Sequence, residues 1–257
     1  MKIRQSKLLK LKKTASIIRR RTAQQEVLYT GISAINEVMH GPLGAGKAVM
    51  IVGKYNSYRS GLALDTLCGI IKNNLAIQRD GLKPVLFYFV QELSVAATWD
   101  LIALRLLGLP IGTAVPNKLW HKARSVITRS GYTLFVINGP LCKITTYITD
   151  ICTDVGGYPL VSVIDVSIPN TDSVQDTEYA THKEVISWLR SKRVTTLSIG
   201  SLARNDSVSR EFMTADVVLA TERLYSKPSV ALQCLRNKGV LVSKRKSSIE
   251  LKRRYRY

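Results

Sequence analysis

Continuous runs of apolar residues alternate, along the middle of the chain, with segments that have the apolar spacing of helices. Runs of this kind lie at 48–52, 84–90, 134–138, 160–165 and 195–199. Apolar side chains at consecutive positions, instead of at every second one, indicate strands that are buried on both faces. Strands of this kind separated by helices predict an α/β fold, in which a mostly parallel β-sheet carries helices on both faces.

The remaining segments fit the same architecture. Two more apolar runs, 217–221 and 230–235, are predicted to close the sheet, and 249–252 is predicted as an edge strand. The apolar spacing predicts helices over 32–39, 60–74, 95–107, 145–155 and 181–191.

The positive charge is concentrated at the two ends of the chain. Residues 1–22 hold nine basic and no acidic residues, and residues 236–257 hold nine basic residues and one acidic residue. The ends therefore carry 17 of the 20 net positive charges. This distribution predicts a basic N-terminal helix or extension over 1–26, one globular domain over 27–235 and a basic C-terminal tail over 236–257.

Blocks of one sign at both ends favour a polyanionic partner, because each contact between a cation and a phosphate releases counterions. DNA is the favoured partner. RNA is the alternative, because Lys and Arg side chains in the tails would contact phosphate and not bases. A surface that only keeps the protein in solution is the other interpretation. The candidate nucleic-acid-binding residues are Lys10, Lys12, Lys13, Arg19, Arg20, Arg21, Lys244, Arg245, Lys246, Arg253, Arg254 and Arg256.

Several classes of protein are excluded by what the sequence does not contain. The most apolar long stretch, 101–115, is interrupted by Arg105 and Pro110, so a membrane-spanning helix is not expected. The four cysteines form no CxxC pair, which argues against zinc and favours reduced thiols in an intracellular protein.

The expected location is the cytoplasm of a bacterial or phage-infected cell, or a nucleoprotein particle. A mitochondrial location is the minor alternative, because the N-terminus is basic but poor in Ser.

The first core strand runs into an eight-residue loop, 53–60, that opens a helix. Gly53 begins this loop, and Arg59 and Ser60 supply a cation and a hydroxyl at its end. A phosphate-binding P-loop has this layout: backbone N–H groups surround the phosphates, the cation reaches them and the hydroxyl binds Mg²⁺. The match is incomplete, because Tyr58 replaces the second Gly and Arg59 replaces Lys. An ordinary turn between strand and helix is the alternative.

A second segment, 41–48, matches the letters of the P-loop pattern more closely. A P-loop needs a strand before it and a helix after it. Here a helical segment precedes and a strand follows. We therefore expect the phosphate-binding loop at 53–60, where Gly53, Ser57, Arg59 and Ser60 are the candidate nucleotide-binding residues.

Two carboxylates follow other predicted strands. Asp165 ends the strand 160–165, where it would meet a Mg²⁺ ion held by Ser60. Glu92 follows the strand 84–90, where a carboxylate can polarise an attacking water. Either residue alone could simply cap a turn or helix. Since ligands bind at the carboxyl ends of parallel strands, the three groups together predict a nucleotide site.

With these motifs in this order, the chain resembles the RecA/DnaB-type family of P-loop ATPases, most closely the C-terminal motor domain of replicative helicases. The resemblance covers about residues 29–237. It is carried by segments 30–36, 85–94, 101–107, 160–165, 182–204, 214–218 and 235–237.

The resemblance implies a RecA-like fold that binds ATP and Mg²⁺ and assembles into a ring or filament, or joins a larger nucleoprotein complex. In its terms Glu92 is the catalytic glutamate, Ser60 and Asp165 hold the metal, and Ser201 stands at the position that senses the γ-phosphate. Arg236 corresponds to the arginine finger.

The chain also departs from the family pattern at functional positions. Tyr58 and Arg59 alter the P-loop, Ser201 stands where helicases usually have Gln, and Cys234 stands where they have Lys. A planar guanidinium is a poor replacement for a compact ammonium between phosphates. We therefore expect a nucleic-acid-binding protein of DNA replication or recombination, or a complex subunit, with a weakened or inactive ATP site. The alternatives are an active ATP-dependent helicase or recombinase and a non-catalytic structural component of a nucleoprotein particle.

Overall fold

The computed structural model describes residues 27–54, 56–166, 175–201, 214–224, 229–238 and 246–250, with backbone alone at 175–179, 201 and 250. The predicted basic helix in 1–26 lies outside the described residues. So does the C-terminal tail, apart from residues 236–238 and 246–250.

Strands and helices alternate through the described residues as the apolar runs predict. The helices are α1 (Ser33–Met39), α2 (Arg59–Asn73), α3 (Val95–Leu107), α4 (Asn117–Arg129), α5 (Ile144–Asp154) and α6 (Gln175–Ser191). The strands are β1 (Val27–Leu28), β2 (Leu43–Gly44), β3 (Ala48–Gly53), β4 (Lys83–Val90), β5 (Thr133–Asn138), β6 (Gly157–Asp165), β7 (Thr195–Ser201), β8 (Val217–Leu224), β9 (Ser229–Asn237) and β10 (Lys246–Glu250).

Eight of these strands form one sheet in the order β10-β9-β8-β3-β7-β6-β4-β5. The strands from β8 to β5 run parallel, whereas β9 and β10 are antiparallel to their neighbours. Helices α1 to α4 pack on one face of the sheet, and α5 and α6 pack on the other. The predicted α/β fold, a mostly parallel sheet with helices on both faces, is confirmed.

The sheet differs in detail from the sequence prediction. It extends past residue 235, because β9 continues to Asn237 and β10 occupies 246–250. Strand β6 begins at Gly157, and its pairing with β4 shifts register directly after Pro159. A proline has no N–H to donate to a neighbouring strand, so an irregularity at this position keeps the rest of the ladder intact.

Helix α4 was not predicted from the sequence. It follows Pro116, and only Ala123 and Ile127 of its residues are buried. It also contacts α3 through an aromatic pair: the rings of Trp99 and Trp120 lie 5.8 Å apart, and Trp120 Nε1 donates to Asp100 Oδ1 at 2.9 Å. An apolar stripe this narrow gives little periodic signal.

Asp216 lies directly before β8 and connects that strand to β3. The Oδ2 atom of Asp216 accepts from the backbone N–H of Ala48 at 3.0 Å and from Arg190 at 3.1 Å, and Lys238 Nζ lies 3.4 Å from Oδ1. Burial alone would raise the pKa of Asp216, but this amide and the two cations lower it. Asp216 therefore joins β3, β8, β9 and α6 at the amino edge of the sheet.

His182, on α6, is a buried titratable residue. Its side chain is 2% exposed, and neither ring nitrogen has a hydrogen-bond partner among the described residues. Burial lowers the pKa of His182 from 6.5 to about 4. Both folded and unfolded chains therefore hold a neutral imidazole at neutral pH. As the pH falls from 6.5 towards 4, the unfolded chain takes up a proton that the folded chain does not.

We expect the free energy of unfolding to fall over this pH range by up to about 3 kcal/mol through His182 alone. His182→Leu should remove that dependence. It should also stabilise the protein at neutral pH by about 1–2 kcal/mol, because two unpaired polar atoms leave the core. Urea denaturation at several pH values measures both effects. His121→Leu, at an exposed position on α4, is the control; an equal change in both variants would contradict the prediction.

Candidate nucleotide-binding site

Four neighbouring parallel strands, β3, β7, β6 and β4, end at the same edge of the sheet. Gly53 pairs with Ser201 at the ends of β3 and β7, and Asp165 pairs with Val90 at the ends of β6 and β4. Glu92 lies two residues beyond the end of β4, and its side chain is exposed. The structure thus brings the backbone of Gly53, Ser201, Asp165 and Glu92 to one edge of the sheet.

The loop after β3 is held against β8 by a chain of hydroxyls. Thr221 Oγ1 donates to the carbonyl of Val52 at 3.1 Å and lies 3.1 Å from Ser57 Oγ. Because the threonine proton is used on the carbonyl, the serine is the donor of this second bond. Ser57 is 3% exposed, and its backbone N–H donates to the carbonyl of Lys54 at 3.1 Å. Its hydroxyl therefore anchors the loop, a role that the sequence analysis did not give it.

Gly53 is required by the closeness of this anchor. A Cβ atom at Gly53 would lie 2.1 Å from Ser57 Oγ and 2.6 Å from the carbonyl oxygen of Thr221. Any side chain would push the loop away from β8. The glycine therefore allows a tight turn between β3 and α2.

Tyr58 lies along helix α2. It caps the helix in the left-handed region, with φ 70°, which favours glycine. Its ring packs so closely over Gly61 that a Cβ at that position would lie 2.3 Å from Tyr58 Cε2. Its hydroxyl donates to Asp65 Oδ2 at 2.6 Å. Asp65 in turn pairs with Arg105 Nε at 2.7 Å, so the ring is held beside Gly61 and Asp65 on α2.

Arg59 points the other way, towards β7. Its Nη1 donates to the carbonyl of Gly200 at 2.6 Å, next to the end of that strand. Burial lowers the pKa of Arg59, and the negative charges of Asp165 and Glu92 act in the opposite direction. The guanidinium is thus a cation at the same edge as both carboxylates.

Asp165 receives a hydrogen bond on each carboxylate oxygen. Ser60 Oγ donates to Oδ1 at 2.9 Å, and Tyr88 donates its hydroxyl to Oδ2 at 2.6 Å. Burial raises the pKa of Asp165, these two hydrogen bonds lower it, and the charge of Glu92 adds to the rise. Ser60 and Asp165 were predicted from the sequence, whereas Tyr88 was not. No signal marked it, because a tyrosine in a buried strand between two phenylalanines fits the core equally well.

The residues present fit Mg²⁺ and a phosphate group. Mg²⁺ prefers oxygen ligands, and the Ser60 hydroxyl and the Asp165 carboxylate face one another at the start of α2. The N-terminus of α2 has the polarity that favours an anion, and Arg59 adds a full positive charge. Ser60 and Asp165 would hold the metal, and the loop and Arg59 would hold phosphate.

The other P-loop-like segment, 41–48, lies at the opposite edge. The backbone N–H of Gly46 donates to Thr195 Oγ1 at 2.8 Å, at the start of β7. The segment contains the short strand β2 and leads into β3, not into a helix. It therefore connects the small sheet of β1 and β2 to the main sheet.

Arg236 also lies towards the amino edge. It pairs with Val218 in the register of β9 and β8. Val218 precedes Thr221 by three residues, and Thr221 is the residue of β8 that pairs with Gly53. Three residues of strand are about 10 Å. The backbone of Arg236 is thus two strands away from the loop and displaced along the sheet. A role as an arginine finger stays a prediction.

Of the predicted nucleic-acid-binding residues, Lys246 alone falls within the described residues. Its Nζ lies 3.5 Å from Glu222 Oε2, and both side chains are more than half exposed. An exposed pair of this kind holds its members weakly. The Ser201 side chain lies outside the part of the chain that the structure describes. The same holds for Lys10, Lys12, Lys13, Arg19, Arg20, Arg21, Lys244, Arg245, Arg253, Arg254 and Arg256.

No family model and no curated protein matches the sequence, but solved structures match the fold. One solved ATPase domain has a TM-score of 0.64 at 12% identity, over 93% of this chain and 94% of that one. The RadB recombinase gives 0.60 at 15% identity, over 88% and 97%. A DnaB-like replicative helicase gives 0.62 at 14% identity, over 86% of this chain and 60% of that one.

Within the described ranges, no helix is both long and apolar enough to cross a membrane. The sheet order, the strand ends and the structural similarities agree with one another. The chain has a RecA-like α/β fold, similar in structure to an ATPase domain, to the RadB recombinase and to a DnaB-like replicative helicase.

Proposed function

We propose that this protein binds nucleic acid and uses its RecA-like domain to bind a Mg²⁺–ATP complex with slow or absent hydrolysis. The observation that carries the proposal is the pair of Ser60 and Asp165, whose hydroxyl and carboxylate oxygens lie 2.9 Å apart at the edge where β3 and β6 end. The Tyr58 ring lies along α2, where its hydroxyl bonds to Asp65, five residues beyond Ser60.

Slow turnover is supported by the substitutions at the loop. Arg59 supplies a planar guanidinium, already bonded to the carbonyl of Gly200, in place of a mobile ammonium. Glu92 lies at the same edge, where a carboxylate can polarise an attacking water. We therefore attribute the slow turnover to Arg59, the cation of the loop, and not to the carboxylate.

Nucleic acid is supported by the charge of the chain ends, which hold 17 of the 20 net positive charges. DNA is the favoured partner and RNA the alternative. We further propose that the protein acts in DNA replication or recombination as a homo-oligomer or as a subunit of a larger nucleoprotein complex. The position of Arg236 supports an assembly, because its backbone lies two strands away from the loop of its own chain.

Calorimetry tests the proposal directly. ATP is titrated into the full chain with Mg²⁺ and with EDTA, in the presence and absence of single-stranded DNA or RNA, and phosphate release is followed in parallel. We expect binding that depends on Mg²⁺ and little phosphate release. Absence of ATP binding would overturn the nucleotide part of the proposal, and fast turnover stimulated by DNA would identify an active motor.

Restoring the family's lysine should raise turnover. We expect Arg59→Lys to increase the rate of phosphate release by about 10-fold, because a compact ammonium can lie between phosphate oxygens where a guanidinium cannot. Arg129→Lys makes the same change at an exposed position of α4 and is the control. A slower Arg59→Lys variant would show that Arg59 is itself the working cation, which favours the active motor.

A structural component of a nucleoprotein particle is the second candidate. The concentration of positive charge outside a nearly neutral domain favours it, since such ends suit a protein packed into RNA or DNA. This candidate predicts no affinity for ATP. It also predicts that removal of residues 1–22 reduces both nucleic-acid affinity and its dependence on salt.

A further inference from the structure

Tyr88 lies in β4 with a side chain that is 2% exposed. Its neighbours Phe87 and Phe89 point to the face covered by α5 and α6, where their rings stack 6.0 Å apart. Tyr88 points to the opposite face, the one covered by α2. A phenylalanine would fill this volume equally well, so the hydroxyl is the part of Tyr88 that packing does not explain.

That hydroxyl has a specific partner. It donates to Asp165 Oδ2 at 2.6 Å, while Oδ1 accepts from Ser60 at 2.9 Å. The two oxygens of the carboxylate are thus held by different side chains from different elements. This double contact fixes the rotation of the carboxylate about its last bond.

The two contacts differ in their relation to a bound metal. Ser60 Oγ and Asp165 Oδ1 face one another and are the two atoms that would hold a cation. Tyr88 donates to the other oxygen, Oδ2, and would leave Oδ1 to the metal. Of the two described side chains that bond to Asp165, Tyr88 is thus the one that would orient the carboxylate without being a ligand itself.

We infer that Tyr88 is a positioning residue for the metal: its hydroxyl holds Asp165 Oδ2 so that Oδ1 is directed at the cation beside Ser60. This inference rests on the proposed function, because it assumes that the site takes Mg²⁺ with a nucleotide. Partners of metal ligands commonly change metal affinity by 10- to 100-fold when they are removed.

Mn²⁺, which has an electron paramagnetic resonance signal, can replace Mg²⁺ as the probe. The full chain is mixed with a non-hydrolysable ATP analogue, and bound Mn²⁺ is measured in the wild type and in Tyr88→Phe. We expect Mn²⁺ affinity to fall by about 10-fold in the variant. Affinity for the same analogue in EDTA should stay unchanged, because the hydroxyl orients a metal ligand and not the phosphate loop.

Tyr158→Phe is the matched control. Its hydroxyl also donates a hydrogen bond, to the carbonyl of Ile77 at 2.7 Å, but at the amino edge of the same sheet. Unchanged Mn²⁺ affinity in Tyr88→Phe would overturn the inference and leave the proposed function intact. Equal losses of affinity for the analogue with Mn²⁺ and with EDTA would also overturn it, as would a Tyr88→Phe variant that fails to fold while Tyr158→Phe folds. A wild type that binds neither Mn²⁺ nor the analogue would overturn both.

Discussion

Replacement of Asp165 by asparagine is expected to weaken Mg²⁺-dependent ATP binding by about 100-fold, the upper end of the range for groups that support a bound metal. The substitution keeps the shape of the side chain, and both Ser60 and Tyr88 keep a polar partner. What is lost is the negative charge that faces the divalent cation. Calorimetry with Mg²⁺ and with EDTA measures the effect, which should be confined to the titration with metal.

The control for this variant is Asp100→Asn. Asp100 accepts a hydrogen bond from Trp120 at 2.9 Å on α3, away from the strand ends, and its substitution makes the same change in net charge. It should bind as the wild type does. If Asp165→Asn also retained full Mg²⁺-dependent affinity, Asp165 would not be a metal ligand and the proposed site would be wrong.

The second large effect concerns stability. Asp65→Ala should lower the free energy of unfolding by about 3 kcal/mol, because it removes the counter-charge of the buried Arg105 guanidinium. The Arg105 side chain is 5% exposed and that of Asp65 19%. Lys72 places a second cation close by, with its Nζ bonded to the carbonyl of Arg105 at 2.8 Å. Urea denaturation of the purified variant measures the loss.

Two further variants separate charge from packing. Asp65→Asn keeps an acceptor for Arg105 and should cost less than the alanine variant. The double variant Asp65→Leu with Arg105→Met replaces the pair by apolar side chains of similar size, and its stability should return to within about 1 kcal/mol of the wild type. A double variant as unstable as Asp65→Ala would attribute the loss to packing or to the lost hydrogen bond from Tyr58, and would contradict the explanation.

Much of the fold follows from the sequence because its strands are buried on both faces. Apolar residues fill 48–52 and 84–90 almost continuously, and surface positions do not dilute the pattern. The loop at 53–60 could also be placed, since the order of strand and helix distinguished it from the segment 41–48. Parallel strands then brought Asp165 and Glu92 to the same edge without further assumptions.

Two of the unpredicted features are side chains that serve two purposes. Tyr88 contributes to the core and to the carboxylate of Asp165, and only three-dimensional contact reveals the second purpose. Tyr58 caps α2 in the left-handed region, which favours glycine, and its hydroxyl bonds to Asp65, seven residues along the chain. Helix α4 was missed for a different reason, since two buried residues make too narrow a stripe to recognise.

The place of Arg236 near the amino edge, with the loop at the carboxyl edge, bears on how any activity would vary with concentration. If the proposed assembly places Arg236 at the site of a second molecule, that catalytic centre exists only while the two molecules are together. Its rate per molecule would therefore decline on dilution and recover when nucleic acid gathers several copies on one strand. Stimulation by a polynucleotide would then arise from crowding on the strand, and strands too short for two copies would fail to stimulate.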